Sequence, residues 1–263
     1  MKFFIFGKLV TIIKKFFNRM EHLWESSFKV KAFDVDSNNR IKVSTVFDYF
    51  QEAASNHAEQ LNFGYDDLLP KKLFWVLSWA KIEFINFPKF MDEIKVQTWG
   101  KMQHKLHSMR DFLLMDKEDE IICRATTGWL LLDLKTLRPK ILDQEFPDVI
   151  HWYNKSALTD LPGKFPVVTE KSKVYTQKIN YSDIDLNQHV NNAKYIELLL
   201  DCFDSEFHKN HCMDNMTISF LSETKYGEVI ELSKGIVDGN TNYIESTNLY
   251  TQKVVFKSLI NWN

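Results

Sequence analysis

Apolar positions along this chain fall into one pattern that occurs twice. Residues 43–58 (VSTVFDYFQEAASNHA) carry apolar side chains at 43, 46, 47, 50, 53, 54 and 58, the spacing of an amphipathic helix. Thr45 and Asp48 are expected to close its first turn as a capping box. Residues 190–203 repeat the stripe at 190, 193, 196, 199, 200 and 203, with Asn191 or Asn192 as the expected N-cap. A displacement of 146 residues lays Tyr49-Phe50 on Tyr195-Ile196 and Ala53-Ala54 on Leu199-Leu200. Both segments are apolar enough to require burial around most of their circumference.

Strand alternation surrounds each helix. One strand precedes it, at 28–35 in the first copy and 174–181 in the second. Four stretches follow in the first copy, 75–87, 92–99, 109–116 and 121–133, the last two joined by the polar turn from Asp116 to Asp119. The second copy has 216–222, 228–236, 242–250 and 253–261, and a displacement of 136 lays DEIKV (92–96) over EVIEL (228–232). A strand, a buried helix and an antiparallel meander together make a curved sheet wrapped around a helix. Residues 151–169, with Pro162, Gly163 and Pro166, read as the linker between copies. The organisation expected is therefore an extension at 1–25, a first unit at 26–150, the linker, and a second unit at 170–263.

Composition narrows the function classes. With 33 basic and 35 acidic residues the net charge is −2, which argues against a dedicated nucleic-acid binder. Cys123, Cys202 and Cys212 form neither a paired framework nor a metal-ligand spacing, so reduced thiols in the cytoplasm are expected. His104-x-x-His107 and His208-x-x-His211-Cys212 have no recognisable further ligands, and no metal or cofactor is expected. Residues 1–20 hold five basic residues and no acidic one. Two readings stand for them: a basic amphipathic helix lying on an anionic membrane surface, or, preferred, an extension of no consequence ahead of a start at Met20.

The richest polar chemistry lies in YSDIDLNQHVNNAKYIE (181–197). Asp185, Asn187 and His189 alternate at period two, so in an extended segment they share one side, at the mouth of the second helix. Glu223 stands 34 residues after His189, near the end of the next strand. A carboxylate, an imidazole and a carboxamide in one crevice make a hydrolytic set: a base, a proton carrier and an oxyanion donor. The repeat provides a control. Displaced by 146, Asp185, Asn187 and His189 fall on Asn39, Ile41 and Val43; displaced by 136, Glu223 falls on Phe87. Ile41, Val43 and Phe87 cannot move a proton, so only the second copy reads as reactive. Lys225 shares a strand face with Glu223 and would lower its basicity. Phe74, Trp75 and Trp79 are candidate walls for an apolar substrate, although core packing is the ordinary role of such residues. His57 reads as a packed or capping histidine.

The segment Asp185-x-Asn187-x-His189-Val190-Asn191-Asn192-x-Lys194-Tyr195-Ile196 and its spacing to Glu223 resemble the fatty acyl-(acyl carrier protein) thioesterases of plants and bacteria. Asn56-His57, Phe63-Gly64, Trp75-Val76, Arg110-Asp111 and the run from Arg124 to Trp129 resemble the family's first half, so the likeness covers about 26–263. The resemblance implies an α+β tandem (double) hotdog: two curved antiparallel sheets, each wrapped around a long central helix. It also implies Asp185, Asn187, His189 and Glu223 as catalytic positions. The substrate would be an acyl chain on the phosphopantetheine arm of acyl carrier protein, with Val190, Asn191 and Asn192 contributing to its binding. Release of the free fatty acid would end fatty acid synthesis; acyl-coenzyme A hydrolysis and non-enzymatic thioester binding are the alternatives. Plant members commonly carry Cys after the Glu, where this chain has Thr224, so attack by water is expected rather than a covalent thiol mechanism. Internal duplication leaves monomer and homodimer both open.

Overall fold

The computed structural model describes residues 23–146, 153 and 155–263. The basic segment at 1–20 lies outside the described residues. In chain order the first half comprises β1 (Trp24–Lys29), α1 (Val43–Gln60), α2 (Tyr65–Leu68), β2 (Leu73–Phe84), β3 (Glu93–His104), β4 (His107–Asp116), β5 (Ile121–Asp133), β6 (Pro139–Lys140) and α3 (Leu142–Glu145). The second half comprises β7 (Ser172–Lys178), α4 (Asn192–Leu200), α5 (Ser205–Asn210), β8 (Met213–Phe220), β9 (Val229–Asp238), β10 (Thr241–Asn248) and β11 (Val254–Trp262).

The strands pair in the order β1-β3-β4-β5-β2-β8-β11-β10-β9-β7, with β6 added on β5. Each half is a hotdog, a meander wrapped around one helix, so the molecule is a double hotdog. Its two expected sheets are joined into one. Trp79 to Glu83 of β2 pair antiparallel with Ser219 to Asn215 of β8, and that pairing removes the two edges that separate sheets would leave open.

Burial follows the stripes. Val43, Val46, Phe47, Phe50, Ala53, Ala54 and Ala58 of α1 are buried, as are Val190, Ala193, Ile196, Leu199 and Phe203 at α4. One continuous core runs from β1 and β3 through both helices to β11. The ends of the helices differ from expectation. The N-cap of α1 is Lys42, which makes no side-chain cap bond, so Thr45 and Asp48 lie inside the helix rather than closing a capping box. The cap of α4 is Asn191, whose side chain accepts from Ala193 N at 2.9 Å. The strands expected at 28–35 and 174–181 end early, because each runs into a 3₁₀ turn, at Ala32–Asp34 and Tyr181–Asp183.

Candidate active site

Asp185 organises the loop that leads into α4. Its carboxylate accepts from the amides of Asn187 (2.8 Å) and His189 (3.4 Å), while its carbonyl accepts from Gln188 N (3.1 Å). This turn needs one left-handed residue, Gln188 at φ 65°. A bridge between Ile184 and Val190 closes its neck. The segment is therefore a reversal and not the extended run that a period of two assumed, and Asp185 acts on backbone amides.

Glu223 arrives from the other side. Beyond β8, Leu221 N and Ser222 N both donate to Val255 O (2.7 and 3.2 Å), so the strand bulges and leaves the sheet. Thr224 O then accepts from Val190 N at 3.3 Å, tying the two loops together. The outcome is a direct hydrogen bond between His189 Nε2 and Glu223 Oε2. Their side chains are 30% and 47% exposed, so water reaches the pair. Lys225 does not form an ion pair with Glu223; its backbone amide is held by Glu228 (2.9 Å), because 221–228 is a loop whose residues do not share a strand face.

The pair sits at the mouth of a cavity of about 590 Å³, inside the roughly 300–1,000 Å³ usual for small-molecule sites. Asp185, Asn187, His189, Val190, Asn192 and Glu223 from the second half border it, and the first half supplies its depth through Ala54, Ala58, Phe63, Leu73, Phe74, Trp75, Leu77 and Met109. Two expected wall residues lie outside it. Trp79 follows a register shift in β2, and its indole covers Gly128 of β5, where a Cβ would come within 2.2 Å of the ring. The Asn191 side chain is consumed as the cap of α4. Backbone amides at 190–192 are also less available than the helix start suggests. Val190 N and Asn191 N donate to Thr224 O and Asp183 O, so among the described residues Asn192 N is the unused donor of that run.

The cavity wall also holds a group that the sequence offered only as part of the family resemblance and not as a site residue. Arg110 of β4 lies buried on the cavity wall, with Nη1 donating to His57 Nδ1 at 3.0 Å and to Thr98 Oγ1 at 3.2 Å. Burial lowers its pKa to about 10, so it stays a cation at neutral pH. His57 is accordingly a packed histidine, stacked near Trp24. A lone guanidinium inside the apolar strand MRDFLLM was the available signal.

The internal control requires a different register. Val30 N donates to Asp92 O as Ile179 N donates to Glu228 O, and Ile41 N donates to Pro88 O as Val190 N donates to Thr224 O. The segments up to the helices are thus 149 residues apart, not 146, while the strands after them keep the displacement of 136. Three residues are close to one helical turn, so both displacements align the apolar stripes. The true counterparts of Asp185, Asn187 and His189 are Asp36, Asn38 and Arg40. Asp36 accepts from Asn38 N and Arg40 N at 2.8 and 2.9 Å, and Asn39 takes the left-handed position at φ 57°. The polar loop is therefore kept in both copies. What differs is that Arg40 replaces the imidazole and Phe87 the carboxylate. Arg40 donates to His208 O and His211 O at the end of α5 and touches Cys212 Sγ. The second cavity, about 560 Å³, is walled there by Phe203 and Trp262.

Two hotdogs fused in one chain define the class of fold to which this protein belongs. The profile of the acyl-ACP thioesterase N-terminal domain matches residues 21–150, and that of the C-terminal domain matches 168–262. The chain belongs to the acyl-ACP thioesterase family. Among its relatives, a chloroplastic acyl-[acyl-carrier-protein] hydrolase of Cuphea viscosissima is 27% identical over 228 residues, 79% of this chain and 53% of that protein. A chloroplastic oleoyl-acyl carrier protein thioesterase of Coriandrum sativum is 25% identical over 236 residues, 83% of this chain and 64% of that protein. The chain thus spans only about half to two thirds of the length of these relatives. The crystal structure of an acyl-ACP thioesterase from Bacteroides thetaiotaomicron superposes with a TM-score of 0.83 at 26% identity, covering 92% of this chain and 98% of that one. A 12:0-ACP thioesterase from Umbellularia californica shares the fold with a TM-score of 0.80 at 20% identity, covering 92% of this chain and 97% of that one.

Proposed function

We propose that this protein hydrolyses the thioester of fatty acyl chains carried on the phosphopantetheine arm of acyl carrier protein, releasing free fatty acid and so ending chain synthesis. The observation that carries this reading is the His189–Glu223 hydrogen bond at the mouth of a mostly apolar cavity. The acyl tail enters the channel between α1 and β2, and its carbonyl stops at the mouth. Glu223 and His189 take a proton from a water, whose oxygen attacks the carbonyl carbon. The carbonyl oxygen becomes negative and is met by the Asn187 carboxamide and by Asn192 N–H, the donor that the fold leaves unused. Collapse breaks the carbon–sulfur bond, and the proton passes from the imidazolium to the departing thiolate. A thiol of pKa about 8.5 is a good leaving group, so base and oxyanion donors are the main demands. Asp185 keeps this loop in its turn. Three free cysteines accord with a reducing compartment such as the cytoplasm.

The test is release of free thiol from a panel of acyl chains on acyl carrier protein and on coenzyme A. Glu223→Gln is expected to lower turnover by about 10²–10⁴-fold while acyl-thioester binding is retained. Near-parental rates in that variant would overturn the assignment. Faster turnover on coenzyme A would move the substrate to that carrier, with the chemistry unchanged.

A further inference from the structure

Two hydroxyl groups lie sealed beneath the reactive pair, Tyr195 Oη on the first turn of α4 and Thr224 Oγ1 on the residue after Glu223; neither reaches a partner of full hydrogen-bond geometry, but Thr224 stands as the hydrogen-bonding neighbour of the Tyr195 hydroxyl. Tyr195 is 4% exposed and Thr224 is fully buried, yet Tyr195 also borders the reactive cavity. The surrounding polar groups are matched. Thr224 O is taken by Val190 N, and the Glu228 carboxylate accepts from Lys225 N (2.9 Å) and Asn248 Nδ2 (2.8 Å). Packing alone would be served as well by phenylalanine at 195, which buries no hydroxyl. The ring is held by Phe220 and Phe256, with centroids 6.0 and 5.6 Å away. A side chain on the first helical turn leans toward the helix N-terminus, here toward the loop that carries Glu223. Burial pushes the phenol up to about 12; Thr224 opposes that rise, and Glu228 and Glu223 add to it. Tyr195 thus keeps its proton and presents its hydroxyl to Thr224.

The duplication supplies an independent argument. In the register of 149 and 136, Tyr195 corresponds to Val46 and Thr224 to Pro88. Neither side chain can form a hydrogen bond. The copy whose carboxylate is replaced by Phe87 has also lost both hydroxyls, although its Asx loop and its tie from loop to loop (Ile41 N to Pro88 O, 2.8 Å) persist. The fold closes without the hydroxyls, so they accompany the reactive pair rather than the architecture.

We propose that Tyr195 is a positioning residue of the reactive site, its hydroxyl acting with that of Thr224 to hold the loop bearing Glu223 against the start of the helix that follows His189. This rests on the reading of Glu223 and His189 as the hydrolytic pair. The test uses Tyr195→Phe, Thr224→Val, Thr224→Ser and the Tyr195→Phe/Thr224→Val double variant, with Glu223→Gln as the control for the pair. Tyr195→Phe is expected to lower kcat by about 10–100-fold, the scale of a small misplacement of reacting groups, with KM within about twofold of the parent and an unreduced melting temperature. The acid limb of its pH–rate profile should move, since the Glu223–His189 geometry sets it. Thr224→Val should behave likewise, Thr224→Ser should retain the parental rate, and the double variant should be no slower than the slower single. A kcat in Tyr195→Phe close to the parent with an unmoved profile, or losses that multiply in the double variant, would overturn the proposal while leaving the pair intact. An active Glu223→Gln would instead remove the reading on which it rests.

Discussion

At the scale of single residues, the chain spends buried charge where it fixes backbone. Asp111 on β4 is fully buried and accepts from Thr126 Oγ1 (2.6 Å) and from Ala157 N (2.7 Å), with Lys101 Nζ at 3.3 Å. Its carboxylate therefore pins the chain leaving the first half onto the outer face of β3 and β4, where Trp99 Nε1 also holds Lys155 O at 2.8 Å. Asp111→Ala strands the buried Thr126 hydroxyl and the half-buried Ala157 amide together, and is expected to destabilise by about 3 kcal/mol. Urea unfolding checks this; a change below a few tenths of a kcal/mol would mean that water replaces the carboxylate. Residues of this kind resist reading from sequence because their partners are backbone groups far along the chain. Reading was better where chemistry was local and dense. The run from Asp185 to His189 announced itself, and His189 and Glu223 do meet. Which way each side chain turns was a different matter, because a loop closed by Asp185 and a strand have the same residue spacing.

At the scale of elements, hydrophobic periodicity located both long helices and the strands, but it could not set the register between the copies. Apolar stripes repeat with the helical turn and so tolerate a slip of three residues; the hydrogen bonds at Val30 and Ile179 do not. The two central helices expose a further property where they approach each other. Asp48 of α1 faces Glu197 of α4 and the buried Asp34, and its pKa rises from 3.8 to about 6, burial contributing most, then Glu197, then Asp34. Lys194 is already committed to Glu197 (3.0 Å) and Asp183 (3.5 Å), and Tyr49 to Asp34 (2.6 Å). An acid whose pKa is raised in the fold binds its proton more tightly there than in the unfolded chain. Stability from this group therefore falls as pH climbs from about 4 to about 6, and the full penalty persists above that window. The side chain is only about half withdrawn from water, so solvent screening reduces the penalty to about 1 kcal/mol. Asp48→Asn should then raise the melting temperature at pH 7.5 by about 2–4 °C and have no effect near pH 4. An equal gain at both pH values would attribute it to packing.

At the scale of the whole molecule, the proposed hydrolysis would make the duplication a division of labour. The first half lines the cavity with Ala54 and Ala58 of α1 and Phe74 to Ser78 of β2, while the second contributes His189, Asn187 and Glu223. The second half is built differently: α4 is 9 residues long where α1 has 18, and Phe203, Phe207 and Trp262 pack in mutual contact beyond it. The halves are also joined by strand pairing and by one core, so separating them exposes the β2 edge from Trp79 to Glu83, the β8 edge facing it, and the contact face of the two helices. Unpaired edges of this length favour aggregation. The chain cut in the segment between residues 146 and 155 and expressed as two pieces should therefore give neither a cooperative unfolding transition nor thiol release from either piece alone. Co-expression should restore both, because the β2–β8 pairing and the shared core need no covalent link. The measurement is calorimetry together with thiol release on each piece and on the pair. A second piece that hydrolyses acyl thioesters by itself would mean that the channel walls from the first half are dispensable, and with them the account of how one copy came to hold the chain that the other cuts.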